Sequence, residues 1–208
     1  MVDSLAIYVR RGRTHMREQA YSQAIEQLSR AVRVNPESHE AQDMLGLAYA
    51  SKLEPGKAIE HIGKAIAIEP DDGNYQMHLG KAYMLLTDYA GATAAYERAI
   101  ELGLAKGKPY YDLGIIAERE SRLDAARSYY EKAIEVVPRF APSCNLRLGI
   151  IAEKEGDDAK AIELYSKALK GDPSVMTAHY RIAQQYLRGG RQDLAERHLE
   201  QFNRLKGR

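Results

Sequence analysis

The chain has little cysteine, no long apolar run and almost no excess charge, and each shortage closes off a class of protein. One cysteine, Cys144, in 208 residues excludes an intrachain disulfide framework and a thiolate zinc site. No apolar stretch approaches the roughly 18 residues that cross a bilayer, so no membrane insertion is expected. Met1 to Arg13 holds no apolar stretch of signal-peptide length. The compartment expected from this is the cytoplasm, or the periplasm if a leader has been removed. A formal charge of +1, with 28% of residues charged, is neither a polycation that coats nucleic acid nor an acidic tail. No segment alternates with period two among β-branched residues, so no sheet is expected.

Catalytic chemistry is equally sparse. The six histidines, His15, His39, His61, His78, His179 and His198, include no pair at metal-ligand spacing on one helix turn. No serine stands in a nucleophile elbow. Gly103 to Lys108 faintly resembles a phosphate loop, but it is one residue short, lacks a preceding strand and runs into Pro109. Asp71-Asp72 and Asp157-Asp158 sit at turns and helix starts, where capping accounts for them. The expectation is a protein that is not an enzyme, with no catalytic residue, cofactor or metal.

What the sequence does have is a repeat. Glycines recur at Gly12, Gly46, Gly80, Gly114 and Gly149. Alanines follow at Ala24, Ala58, Ala92, Ala126, Ala161 and Ala195, and again at Ala31, Ala65, Ala99, Ala133 and Ala168. Prolines close the units at Pro36, Pro70, Pro138 and Pro173. A period of 20–50 residues signals a stack of identical supersecondary units. Each unit reads as two amphipathic helices: Leu45, Ala48 and Tyr49 recur at helical spacing, then Ala58, Ile62 and Ala65. Turn signals separate them, as at Glu54-Pro55-Gly56 and Gly189-Gly190-Arg191. With 45% hydrophobic residues the chain can bury a sizeable core.

The small residues define close contacts. Glycine at the eighth position of the first five units, and alanine at the twentieth and twenty-seventh, let two helices approach; a larger side chain there would cost roughly 1–3 kcal/mol. Tyr49, Tyr83 and Tyr186 at position eleven, with Tyr96, Tyr130 and Tyr165 at position twenty-four, are the knobs beside those holes. Proline ends the second helix because it lacks an N–H and disfavours a helical residue before it. Cys144 reads as a small buried hydrophobe.

This phased pattern resembles the tetratricopeptide repeat, whose signature elements appear as Leu45-Gly46, Leu79-Gly80, Leu113-Gly114 and Leu148-Gly149 followed by the alanines and prolines above. The resemblance implies an all-α fold, a right-handed superhelical solenoid of six helix-turn-helix repeats at 5–38, 39–72, 73–106, 107–141, 142–175 and 176–208, in one domain over 1–208. Departures are readable too. Arg11 replaces leucine in unit one, as expected if no earlier helix covers that face. Leu104 replaces proline in unit three, which marks a looser junction. One extra residue enters near Ala141-Pro142. In unit six Ile182-Ala183 replaces the Leu-Gly pair, and Glu196, Arg197, Glu200, Gln201 and Arg204 give the last helix a polar face that caps the stack.

At 100° per residue, positions 4, 7, 8 and 11 of a first helix make one stripe and positions 2, 5, 6, 9, 12 and 13 the opposite one. The resemblance implies that the second stripe lines a concave groove. The contact set expected there is Arg10, Arg13, Arg17, Met44, Leu47, Met77, His78, Lys81, Met84, Lys108, Tyr111, Ile115, Leu146, Arg147, Ile150, Tyr180, Arg181, Gln184 and Arg188. Arg119, Lys154, Glu40, Asp43, Asp112, Glu118 and Glu153 share the stripe, with Val9 at its start. Ten basic against five acidic residues make the stripe positive, and its apolar members suit a re-packing interaction surface. The expected function is a scaffold or adaptor that holds a protein or peptide segment with acidic groups around an apolar stretch.

Two alternatives accompany this reading. Leu5, Ala6, Ile7, Tyr8 and Val9 form an apolar opening that suits another copy's groove, which gives a self-assembling homo-oligomer. Helical repeats also read single-stranded RNA, but no basic-plus-polar pair recurs at one position of every unit, which speaks against nucleic acid. A clamp for a terminal carboxylate, known among chaperone partners of this family, is not expected. Its positions read Val9, Arg13, Met44, Asn74 and His78, or, one unit on, Asp43, Leu47, His78, Lys108 and Asp112.

Overall fold

The computed structural model describes residues 4–104 and 106–207. Among them are twelve α-helices and no strand: α1 (Ser4–Arg17), α2 (Tyr21–Val34), α3 (His39–Ser51), α4 (Pro55–Ile68), α5 (Gly73–Leu85), α6 (Tyr89–Glu101), α7 (Gly107–Arg119), α8 (Leu123–Val136), α9 (Ala141–Lys154), α10 (Asp158–Gly171), α11 (Met176–Arg188) and α12 (Gln192–Lys206). They pair as six helical hairpins, one for each expected repeat. Contacts divide them into two compact units, α1–α6 and α7–α12. The division falls at the junction where leucine replaces proline; Ala105, within the glycine-flanked stretch that resembles a phosphate loop, lies outside the described residues. Within each unit a second helix packs on the first helix of the next hairpin, as α2 on α3 and α8 on α9.

One turn is used six times. Residues 18–20, 52–54, 86–88, 120–122, 155–157 and 189–191 join the paired helices. In each, the last N–H reaches back to the carbonyl five residues earlier: Ala20 to His15 at 2.9 Å, Glu54 to Tyr49 at 2.9 Å, Arg122 to Ala117 at 2.8 Å, Arg191 to Tyr186 at 2.8 Å. That bond needs a left-handed residue just before it. The six are Gln19, Leu53, Thr87, Ser121, Gly156 and Gly190, with φ between 57° and 81°. Only the last two are glycine, the residue that adopts this conformation without strain. Asp88 and Asp157 then cap the following helices, accepting from Gly91 N–H and Lys160 N–H, each at 2.9 Å.

The other ends are set by proline. Asn35, Glu69, Val137 and Asp172 are extended, with φ from −129° to −146°, and each precedes a proline. Unit three has Leu104 there and ends differently: Gly103 turns left-handed at φ 77° and Leu104 N–H bonds Ala99 O at 3.1 Å. The extra residue of the fourth repeat lengthens the start of α9, after a 3-10 turn at Pro138–Phe140.

The core lies within and between successive hairpins of a unit. Ala24, Ala58, Ala92, Ala126, Ala161 and Ala195 are wholly buried, as are Ala31, Ala65, Ala99, Ala133 and Ala168. Facing each position-eight glycine is the position-twenty-four side chain of the same hairpin. A Cβ on Gly114 would meet Tyr130 Cε1 at 2.5 Å; on Gly149, Tyr165 Cε1 at 2.5 Å; on Gly46, Ile62 Cγ1 at 2.6 Å. Cys144 is buried in the second unit's core, and burial pushes its thiol up to about 12. In α12 only Ala195 is buried, and the polar face expected of a cap points outward.

Gly114→Ala is expected to destabilise by about 1–2 kcal/mol, because overpacking against Tyr130 outweighs the gain in helix propensity. Gly63→Ala, where nothing lies within 4 Å of the added Cβ, should stabilise by about 0.8 kcal/mol. Urea denaturation of the two variants compares them directly. Leu53 is 74% exposed at φ 60°. Leu53→Gly should raise stability by about 0.5–1 kcal/mol by removing left-handed strain, read as a higher melting temperature.

Candidate functional site

The tyrosines that fill the glycine holes in the second unit carry buried hydroxyls, and a buried hydroxyl needs a partner. Tyr130 donates to Glu118 at 3.1 Å and Tyr165 donates to Glu153 at 2.7 Å. Both acids stand at position twelve of the same hairpin as the tyrosine they serve. A carboxylate drawn inward in this way needs cations. They come from the next hairpin: Lys154 at 3.2 Å and Arg147 at 3.6 Å on Glu118, Arg181 at 2.9 Å and Arg188 at 3.6 Å on Glu153. Each rung thus ties the core of one hairpin to the stripe of the following one. Burial alone would raise the pKa of Glu153, but the Tyr165 hydroxyl and the Arg181 and Arg188 guanidinia outweigh it and hold it below the usual glutamate value.

The first unit builds its stripe otherwise. Position twelve carries Met16, Ala50 and Met84 there, so no rung forms. Instead Arg13 pairs with Glu40 across α1 and α3, and His78 Nδ1 donates to both oxygens of Asp43, at 2.8 and 3.0 Å, across α3 and α5. His39 bonds the Tyr75 hydroxyl at 2.6 Å between the same two helices. Among the described residues Arg10, Arg17 and Lys81 form no ion pair, and all three are exposed.

The apolar members of the stripe are partly covered. Tyr111, Ile115, Leu146 and Ile150 are half-buried and lean on the second unit's core. Tyr111 packs its ring 5.8 Å from Tyr130 and 5.9 Å from Phe140. Met44, Leu47, Met77 and Met84 are half-buried in the first unit. Tyr180 is exposed, with its ring 5.3 Å from Phe202 and its hydroxyl accepting from Gln184 at 3.0 Å. Val9 does not face solvent as the helical wheel expects: it is buried among Ala31 and Ala41, because adjacent first helices lie side by side and cover part of the stripe.

Depth separates the charges. The side chains of Asp43, Asp112, Glu118 and Glu153 are only 8–13% exposed, whereas Arg13, Lys108, Lys154 and Arg188 are 50–57% exposed. Lys108 reaches back to Asp112 one turn away. Four of the five stripe acids lie beneath these cationic tips, which long methylene stems carry outward; Glu40 is the exception at 50% exposure, and Arg147 and Arg181 sit deeper than the other cations at 36% and 31%. The outer surface of the stripe is therefore more positive than the residue count implies.

Family comparison agrees with this repeat-by-repeat construction. The tetratricopeptide repeat model matches residues 9–74, 44–109, 79–143, 111–175 and 146–202. The chain belongs to the tetratricopeptide repeat family. Such repeats generally make scaffolds for protein–protein interaction rather than enzymes. A TPR repeat-containing protein of Methanocaldococcus jannaschii is 30% identical over 103 residues, which is 50% of this chain and 18% of that protein. The chain thus matches under a fifth of that relative's length. The solved structure of Pseudomonas aeruginosa pilF superposes with a TM-score of 0.84 at 20% identity, over 98% of this chain and 92% of that one. MamA gives 0.70 at 25% identity, over 78% and 94%. Among the described residues of this tetratricopeptide repeat protein, no helix is long and apolar enough to cross a membrane.

Two groupings escaped the sequence reading. The rungs were readable in principle, since glutamate at position twelve accompanies tyrosine at position twenty-four in repeats four and five. The second is a histidine pair. No two histidines share a helix turn, yet the hairpin of α11 and α12 brings His179 Nδ1 within 3.1 Å of His198 Nδ1. Burial lowers both pKa values. No cluster of three or more metal-ligating side chains forms among the described residues.

Glu153→Ala should cost about 2 kcal/mol near neutral pH by stranding the Tyr165 hydroxyl and two arginines. Because the folded pKa is depressed, this contribution is complete above the ordinary glutamate value of 4.5 and disappears as pH falls through the lowered one. Urea titrations at neutral pH and near pH 3 should show the gap to wild type narrowing in acid; a gap of constant size would contradict the assignment.

Proposed function

We propose that this chain is a non-enzymatic adaptor that binds a segment of a partner protein along the first-helix stripe, with the partner's acidic groups flanking an apolar stretch. The observation that carries this is the depth ordering of charge: four of the stripe's five carboxylates are sunk to 8–13% exposure, while Arg13, Lys108, Lys154 and Arg188 stand at 50–57%. Such a surface attracts an acidic segment and repels a basic one. Half-buried Leu47, Met77, Met84, Ile115 and Ile150 supply apolar contact between the charges, and methionine adapts to varied partners. The N-terminal residues Leu5, Tyr8 and Val9 pack against α2 and α3, so lending them to another copy would require unpacking α1.

The test is affinity capture from the source lysate with wild type beside an Ile115→Asp/Ile150→Asp form, each checked by circular dichroism and melting. A folded variant is expected to lose about a hundredfold in affinity for the captured protein, the scale of two interface anchors. Met77→Asp/Met84→Asp repeats the test on the first unit, should the first pair melt early. A captured protein held equally by wild type and both folded variants would place the binding surface elsewhere on the molecule.

A further inference from the structure

A depression of about 400 Å³ lies on the second unit's stripe, lined by Ile115, Glu118, Arg119, Ser121, Arg147 and Lys154. Its walls carry three cations and one carboxylate. That carboxylate is already engaged by the Tyr130 hydroxyl at 3.1 Å and Lys154 at 3.2 Å, with Arg147 at 3.6 Å. Arg147 also bonds the Tyr111 hydroxyl, and a guanidinium and an ammonium together still offer more donors than these partners accept. The following rung repeats the arrangement with Arg188 in the place of Lys154. Glu153 holds Tyr165 at 2.7 Å and Arg181 at 2.9 Å. Arg188 stands 3.6 Å from Glu153, so each rung holds one cation close and a second further out.

We propose that Arg119, Arg147 and Lys154 form a subsite for a carboxylate, and that its occupant is an aspartate or glutamate side chain of the bound partner segment. This rests on the stripe being the partner-binding face. The lining has an excess of positive charge, and a concave wall concentrates that field. Arg147 is partly buried, so its planar fork favours a carboxylate over water and excludes a cation. Ile115 gives the methylenes of a glutamate an apolar wall. Glu118 fixes the height of the cations from below without neutralising them.

Glutarate serves as the probe. The 208-residue chain is titrated at constant ionic strength, with chloride making up the balance, and the arginine Nε–Hε signals are followed by NMR. Saturable movement is expected at Arg119 and Arg147, with affinity falling about tenfold in Lys154→Gln and Arg119→Gln, the scale of one charge-assisted hydrogen bond. Glu118→Gln removes the competing charge yet keeps an acceptor for Tyr130, and glutarate should bind it more tightly. Linear movement, equal movement at Arg10 and Arg17, wild-type affinity in both cation variants, or weaker binding to a folded Glu118→Gln form would each overturn the proposal. Failure of the underlying reading looks different. Glutarate would then saturate at Arg119 and Arg147 while capture ignored Ile115→Asp/Ile150→Asp; capture that needs those isoleucines without saturation leaves the face standing and removes the subsite.

Discussion

Everything in this molecule hangs on a ring or branched side chain pressed onto a glycine. The glycines at position eight leave no room for even a methyl group under Leu28, Ile62, Tyr96, Tyr130 and Tyr165. That contact sets how closely the two helices of a hairpin approach. The wholly buried alanines at positions twenty and twenty-seven extend it along the second helix. Close packing of this kind tolerates little change in volume, which is why the same small residues return at the same register throughout the chain.

The tyrosine version of this contact has a consequence that the leucine and isoleucine versions lack. A tyrosine ring fills the hole, but its hydroxyl travels into the interior with it. Glu118 and Glu153 answer the hydroxyls, and the carboxylates in turn draw Arg147, Lys154, Arg181 and Arg188 from the next hairpin. A packing decision inside one hairpin therefore organises charge on the first-helix stripe of its neighbour. In the first unit, where Leu28 and Ile62 fill the first two holes and methionine or alanine holds position twelve, the face is richer in methionine. Its ion pairs run directly between first helices. Two chemistries are presented on one architecture.

The fold was legible because it is written in periodic small residues, and periodicity survives without coordinates. Gly12 through Gly149 and the two alanine series located every hairpin, and the proline-free end of the third repeat marked the place where the two compact units divide. The face was only half legible. Helical spacing put Arg13, His78, Lys154 and Arg188 on one stripe. It could not say that Asp43 and Glu118 on the same stripe lie beneath them, or that Val9 is covered. Depth on a helix face depends on what the neighbouring helix brings, and that is a relation between residues roughly a repeat apart.

Sequence by itself determined the repeat, the pairing of helices within it and the small-residue contacts, because these follow from local propensity and from volume at fixed register. Tertiary structure decided which charges are buried and which reach solvent. It also decided that Gln19, Leu53, Thr87 and Ser121 take a left-handed conformation that glycine would adopt more readily, and that His179 meets His198 across a hairpin. Those outcomes come from the packing of whole helices, whose summed burial outweighs the local preference of any one residue.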